Sequence, residues 1–148
     1  MPEKKTIERA RKAKREGKAP STQAGEFVRE EIEHIREGKH GAKNTKQAIA
    51  IGLSKARRSG VKLPAPKKGT TSERTRKQAK RDTAKSKASS STRKKSPKRA
   101  RAAKKALARA PRAAASTRAL SRQSRQAARR RKATSGTSRS RTKRAAAA

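Results

Sequence analysis

Large apolar side chains are confined to one short part of this chain, and that bounds what can fold. Of the thirteen (Met1, Ile7, Phe27, Val28, Ile32, Ile35, Ile49, Ile51, Leu53, Val61, Leu63, Leu107 and Leu120), nine lie between Phe27 and Leu63. Charge is distributed the other way. No acidic residue follows Asp82, and the 66 residues after it hold 23 Lys or Arg. Over the 148 residues, 47 basic against 10 acidic side chains leave a formal net charge of +37. A core is expected in one place, and the remainder has the low hydrophobicity and high charge of a chain that stays unfolded by itself.

Three segments follow. Residues 1–20 mix acid and base and read as an exposed helix or arm with little to bury, ended by Gly17 and Pro20. Residues 21–64 carry two amphipathic stripes. In the first, Ser21 caps a helix on which Ala24, Phe27, Val28, Ile32 and Ile35 share one arc, with Gly38 as the stop. In the second, Asn44 or Thr45 caps a helix on which Ala48, Ile49, Gly52, Leu53 and Ala56 share an arc, closed by Gly60 and Pro64. Facing each other, the stripes make an antiparallel helical hairpin, with Phe27, Val28, Ile32, Ile35, Ile49 and Leu53 as its core. Gly52 would let the backbones approach closely. So small a core barely offsets the ordering entropy, so the hairpin reads as marginal, with self-association or partner docking as its support. Residues 65–148 read as a basic Ala/Lys/Arg/Ser-rich tail, largely disordered until bound, with tertiary packing expected in 21–64 alone. The fold class expected is mostly α with extensive disorder.

The tail has the strongest functional pattern. Ser96 and Pro97 suit the cap and first position of a helix. Lys98, Arg101, Lys105, Arg109 and Arg112 then recur every three or four residues. Beyond the break at Pro111, Arg118, Arg122, Arg125, Arg129, Arg130, Arg131 and Lys132 continue the rhythm. Coiled into helices, these put cations on one side, and a phosphate polymer relieves their mutual repulsion. The expected partner is nucleic acid bound without sequence reading, DNA foremost, coated or compacted in a histone-like manner. RNA or ribosome association is the alternative, and a protein-interaction hairpin with an electrostatic tether is a third reading. Phe27 is the sole aromatic, so base-stacking folds are poor candidates. Lys39, Lys43 and Lys46, with His40, surround the start of the second helix and could add one phosphate contact.

Other chemistries find little footing. There is no cysteine. His34 and His40, six apart, lack further well-spaced ligands and read as exposed, so no metal site and no cofactor are expected. The glycines form no phosphate-binding fingerprint, and no Ser/His/Asp setting suggests an enzyme. No apolar run suits a membrane span, and no secretory segment follows Met1, so a cytoplasmic protein is expected, nucleoid-associated if bacterial.

The stretch STQAGEFVREEIEHIREGKHG followed by NTKQAIAIGLSKARRSGVKLP resembles a bacterial family of small, strongly basic proteins that carries an unknown-function domain label. The KHG turn and the KQAIAIGLSKAR helix carry that likeness, which implies no catalytic residues. The tail is similar to the basic tails of linker histones and bacterial histone-like proteins. Its SPKR is similar to their Ser-Pro-Lys-Lys repeats, a likeness that implies a preference for AT-rich minor grooves.

Overall fold

The computed structural model describes residues 2–87 and 96–145, and side chains within 2–86 and 96–133. The elements are α1 (Lys4–Arg15), α2 (Pro20–Arg36), α3 (Thr45–Arg58), α4 (Glu73–Lys87), α5 (Pro97–Arg109), a 3-10 turn (Arg112–Ala115) and α6 (Thr117–Ala145). Among the described residues there is no strand, and no helix is long and apolar enough to cross a membrane. The parts of the 65–148 segment at residues 88–95 and 146–148 lie outside them.

Local sequence accounts for the helix ends. α2 begins at Pro20 itself, with Ala19 rather than Ser21 at the cap position and no side-chain cap. Proline at the first position is preorganised and loses no helix hydrogen bond. Asn44 caps α3 by accepting from the Gln47 amide at 2.8 Å, and Gln47 Oε1 in return accepts from the Lys43 amide at 2.8 Å. α2 ends at Gly38, whose φ of 78° is open to glycine at little cost. There the Lys39 amide donates to the His34 carbonyl (3.0 Å) and the Gly38 amide to that of Ile35 (3.2 Å), turning the chain back over the helix end. α1 and α3 end with the same pair of bonds, at Gly17 and Gly60.

α2 packs on both α1 and α3, and α3 also packs on α4. Where α2 meets α3 the side chain is missing for a reason. A Cβ on Gly52 would lie 2.6 Å from Val28 Cα, closer than any real contact. One apolar cluster joins Ala10, Ala24, Phe27, Ala56 and Val61, with Ile7, Leu53 and Leu63 against it. A second joins Ile35, Ala42, Ala48, Ala114 and Ala115, with Ile32 beside it. Of the expected core, Phe27 and Ile35 are fully buried, whereas Val28, Ile32, Ile49 and Leu53 are half-buried.

Two expectations are corrected here. α1 is no bare arm, because Thr6, Ala10 and Ala13 are buried and Ile7 packs on the first cluster. Small side chains let α1 lie close on α2, which a search for large apolar residues misses. Nor does packing stop at residue 64. Residues 107–115 cross the KHG turn as a strap. The Gly41 amide donates to the Leu107 carbonyl (2.9 Å), and the Ala42 amide to that of Pro111 (3.2 Å). Thr45 Oγ1 donates to the Ala114 carbonyl (2.7 Å), and Arg36 Nε to that of Ala115 (3.0 Å). Backbone carbonyls and two alanine methyl groups do the docking, so a low-complexity composition conceals it.

Candidate cation rows and a buried carboxylate–histidine cluster

Acids are concentrated at the N-terminal end, where most are paired. Glu16 meets Lys18 at 2.7 Å, Glu33 meets Arg29 at 3.0 Å, and Glu37 meets Lys39 at 2.9 Å. The hydrogen bond from Lys18 holds the Glu16 carboxyl below its ordinary value and raises the Lys18 ammonium in turn. Asp82, the last acid, is buried on α4 and accepts from Ser54 Oγ (2.6 Å), Arg58 Nε (2.9 Å) and Gln78 Nε2 (3.1 Å). It fastens α4 to α3 with polar bonds, on a helix whose buried apolar residue is the small Ala79. Arg57 is also buried, donating to the Pro64 carbonyl at 3.3 Å, and desolvation lowers its guanidinium from the usual range.

The cation rows lie beyond. α5 buries none of its residues, and Lys98, Arg101, Lys105 and Arg109 are all exposed. At 100° per residue these four fall within about 80° of one another. On α6, Arg118, Arg122, Arg125 and Arg129 fall within about 60° and, with Gln126, line a shallow groove. Arg130, Arg131 and Lys132 are exposed on the next turn. Arg112 leaves the α5 row. It sits in the 3-10 turn with its guanidinium over Gly38, where a Cβ would lie 2.9 Å from one of its nitrogens. α6 reaches the fold through its contacts with the 3-10 turn and α3.

The lysines around the start of α3 do not form one set. Lys43 and Lys46 are exposed. Lys39 instead pairs with Glu37 and, at 3.5 Å, with Glu3. The bond to Glu37 raises its ammonium above the ordinary range.

The histidines depart furthest from expectation. Both are half-buried, with side-chain exposures of 14% for His34 and 21% for His40. Their rings meet edge to face, centroids 6.2 Å apart. His34 Nε2 lies 2.9 Å from Glu3 Oε1, and the Glu3 carboxyl is held down by this bond first and by Lys39 nearby. His40 Nε2 lies 3.1 Å from Oε1 of Glu31, whose carboxylate is 1% exposed. Lys55 Nζ sits 2.6 Å from the other Glu31 oxygen and 3.4 Å from Glu30 Oε1. Glu30 and Glu31 sit side by side on α2. They are buried and share one ammonium. Glu31 and His34 are one helical turn apart, a spacing visible in EEIEHIREGKH; what spacing could not disclose is that the turn at Gly38 brings His40 back beside them.

No curated protein and no solved structure matches the chain. A family of unknown function, DUF6496, matches residues 3–68, a stretch that takes in α1, α2, α3 and the whole carboxylate–histidine cluster. Over those residues the chain is similar to the DUF6496 family, and the match ends before α4.

Proposed function

We propose that the chain binds nucleic acid without reading its sequence, with duplex DNA as the polyanion it coats or compacts. The observation that carries this reading is the pair of exposed cation rows on α5 and α6, in a stretch without a single acid. From Arg118 to Arg129 is about 16 Å of helix, over which a duplex presents roughly ten phosphates. Four aligned guanidinium groups find ample partners there. Nothing in these rows selects bases, since arginines with one neighbouring glutamine make no positioned donor–acceptor set. The stretch at residues 3–68 acts as the scaffold, receiving the strap at its KHG turn and so holding the ends of α5 and α6 together.

The test is a salt titration of the full chain against duplex DNA, beside Arg118, Arg122, Arg125 and Arg129 all changed to Gln. Each lost phosphate contact lowers the slope of log affinity on log salt by about 0.9, so the quadruple variant loses roughly 3–4 units. An unchanged slope removes α6 from the interface. Competition with structured RNA at matched salt decides between the two polymers.

A further inference from the structure

Oxygens face both ring nitrogens of His40. The Gly41 carbonyl lies 3.2 Å from Nδ1 and Glu31 Oε1 lies 3.1 Å from Nε2. A neutral imidazole has one N–H and can satisfy one of them. If Nδ1–H serves the backbone carbonyl, Nε2 turns a lone pair toward a buried carboxylate oxygen. Two such acceptors stay together only with a cation between them, either a proton or a metal ion. Ligand atoms from Glu31, His34 and His40 all lie within 4.8 Å of one another. Two ligands bound to one tetrahedral ion at ordinary zinc distances are about 3.4 Å apart, so the nitrogen and oxygen are nearly in place.

We propose that Glu31, His34 and His40 bind one divalent transition-metal ion, of which zinc is the natural probe. The surroundings fit the outer shell of such a site. The Gly41 carbonyl orients the His40 ring, Glu3 is hydrogen-bonded to His34, and Lys55 holds the second Glu31 oxygen, leaving Oε1 for the ion. Among the described helices α2 is the one acidic helix, with four glutamates against two arginines. Lys55 and Lys39 oppose the added charge, and Glu30 and Glu37 already engage them. Imidazole ligands exclude magnesium and calcium and suit zinc, nickel or copper. The bound ion ties the end of α2 to the KHG turn, on which the strap rests.

The composition makes the test clean. The chain has two histidines and no cysteine, so nitrogen-ligated metal in a tag-free sample has one place to go. Full-length protein is titrated with zinc chloride in chelator-treated buffer by calorimetry, and with cobalt(II) by visible absorption. The expected result is one saturable equivalent, undisturbed by excess magnesium, with a cobalt spectrum of nitrogen ligation. His34→Gln and His40→Gln each weaken binding by at least about tenfold while the helical circular dichroism stays unchanged. The wild-type cobalt spectrum reads ligation even should a variant lose structure. Absence of a saturable equivalent, or a His40→Gln chain that binds zinc as tightly as the wild type, overturns the proposal. No nucleic acid enters the experiment, so its outcome is separate from that of the DNA titration.

Discussion

Gly41 shows how much one missing methyl group can decide. Its amide reaches the Leu107 carbonyl, and a Cβ there would overlap the carbonyl of Ala110. Backbone cannot swing aside as the end of a side chain can, so any larger residue must lift the strap. Gly41→Ala is expected to cost about 1–3 kcal/mol, the range for overpacking a tight site, and to expose Ala114 and Ala115. Gly25 is the control. It lies on the exposed side of α2 with nothing within 4 Å of the place a Cβ would take, so Gly25→Ala gains about 0.5–1 kcal/mol of helix propensity. Urea unfolding of the two variants checks both signs. Equal and small effects at the two positions would mean that the strap does not rest on the turn.

At the scale of elements, two kinds of attachment hold the helices. Ile35 on α2 is fully buried in the second cluster, and Ile35→Ala is expected to cost about 2–5 kcal/mol, the range for truncating a core isoleucine. α4 buries no large apolar residue, only Ala79, and depends chiefly on Asp82. Arg58 is 49% exposed on its side chain, so solvent screens the pair and its loss alone is modest. The hydroxyl of Ser54 and the amide of Gln78 lose their acceptor as well, so Asp82→Ala is expected to cost about 1–3 kcal/mol and to release α4 from α3. Hydrogen exchange reads the two cases apart. Ile35→Ala loosens α2 and α3 together, and Asp82→Ala loosens α4 alone. These elements also mark what the sequence disclosed. Period and punctuation revealed the Phe27–Ile35 stripe, the Asn44 cap and the stops at Gly38 and Gly60. They could not reveal the packing of α1, which buries Thr6, Ala10 and Ala13, or the strap, whose contacts are main-chain carbonyls. Alanine and backbone have no periodic signature. The carboxylate–histidine cluster was hidden for a related reason, since its members meet only after Gly38 has turned the chain.

For the whole molecule, the uneven charge implies opposite responses to salt. Within residues 3–68 acids and bases are interleaved and several pair at the surface, by exposed bonds that salt weakens. α5 and α6 carry cations with no acid among them, and the strap holds these two helices at the KHG turn. Their mutual repulsion pulls on that strap. With a net charge of +37, repulsion exceeds the weak surface pairs, so screening should favour the free, folded chain. Between about 20 and 200 mM salt the Debye length falls from roughly 20 to 7 Å, which leaves each cation repelled by its nearest neighbours and by little else. The free protein should therefore melt a few degrees higher at the upper end, a gain of roughly 0.5–1 kcal/mol. Over the same range its affinity for duplex DNA should fall by orders of magnitude, as counterion release is lost. Thermal circular dichroism and fluorescence anisotropy on one preparation measure both curves. A melting temperature that falls with salt would show the ion pairs of the N-terminal domain outweighing the repulsion. The cation rows would then strain the fold less than their charge implies, and binding phosphates would relieve correspondingly little.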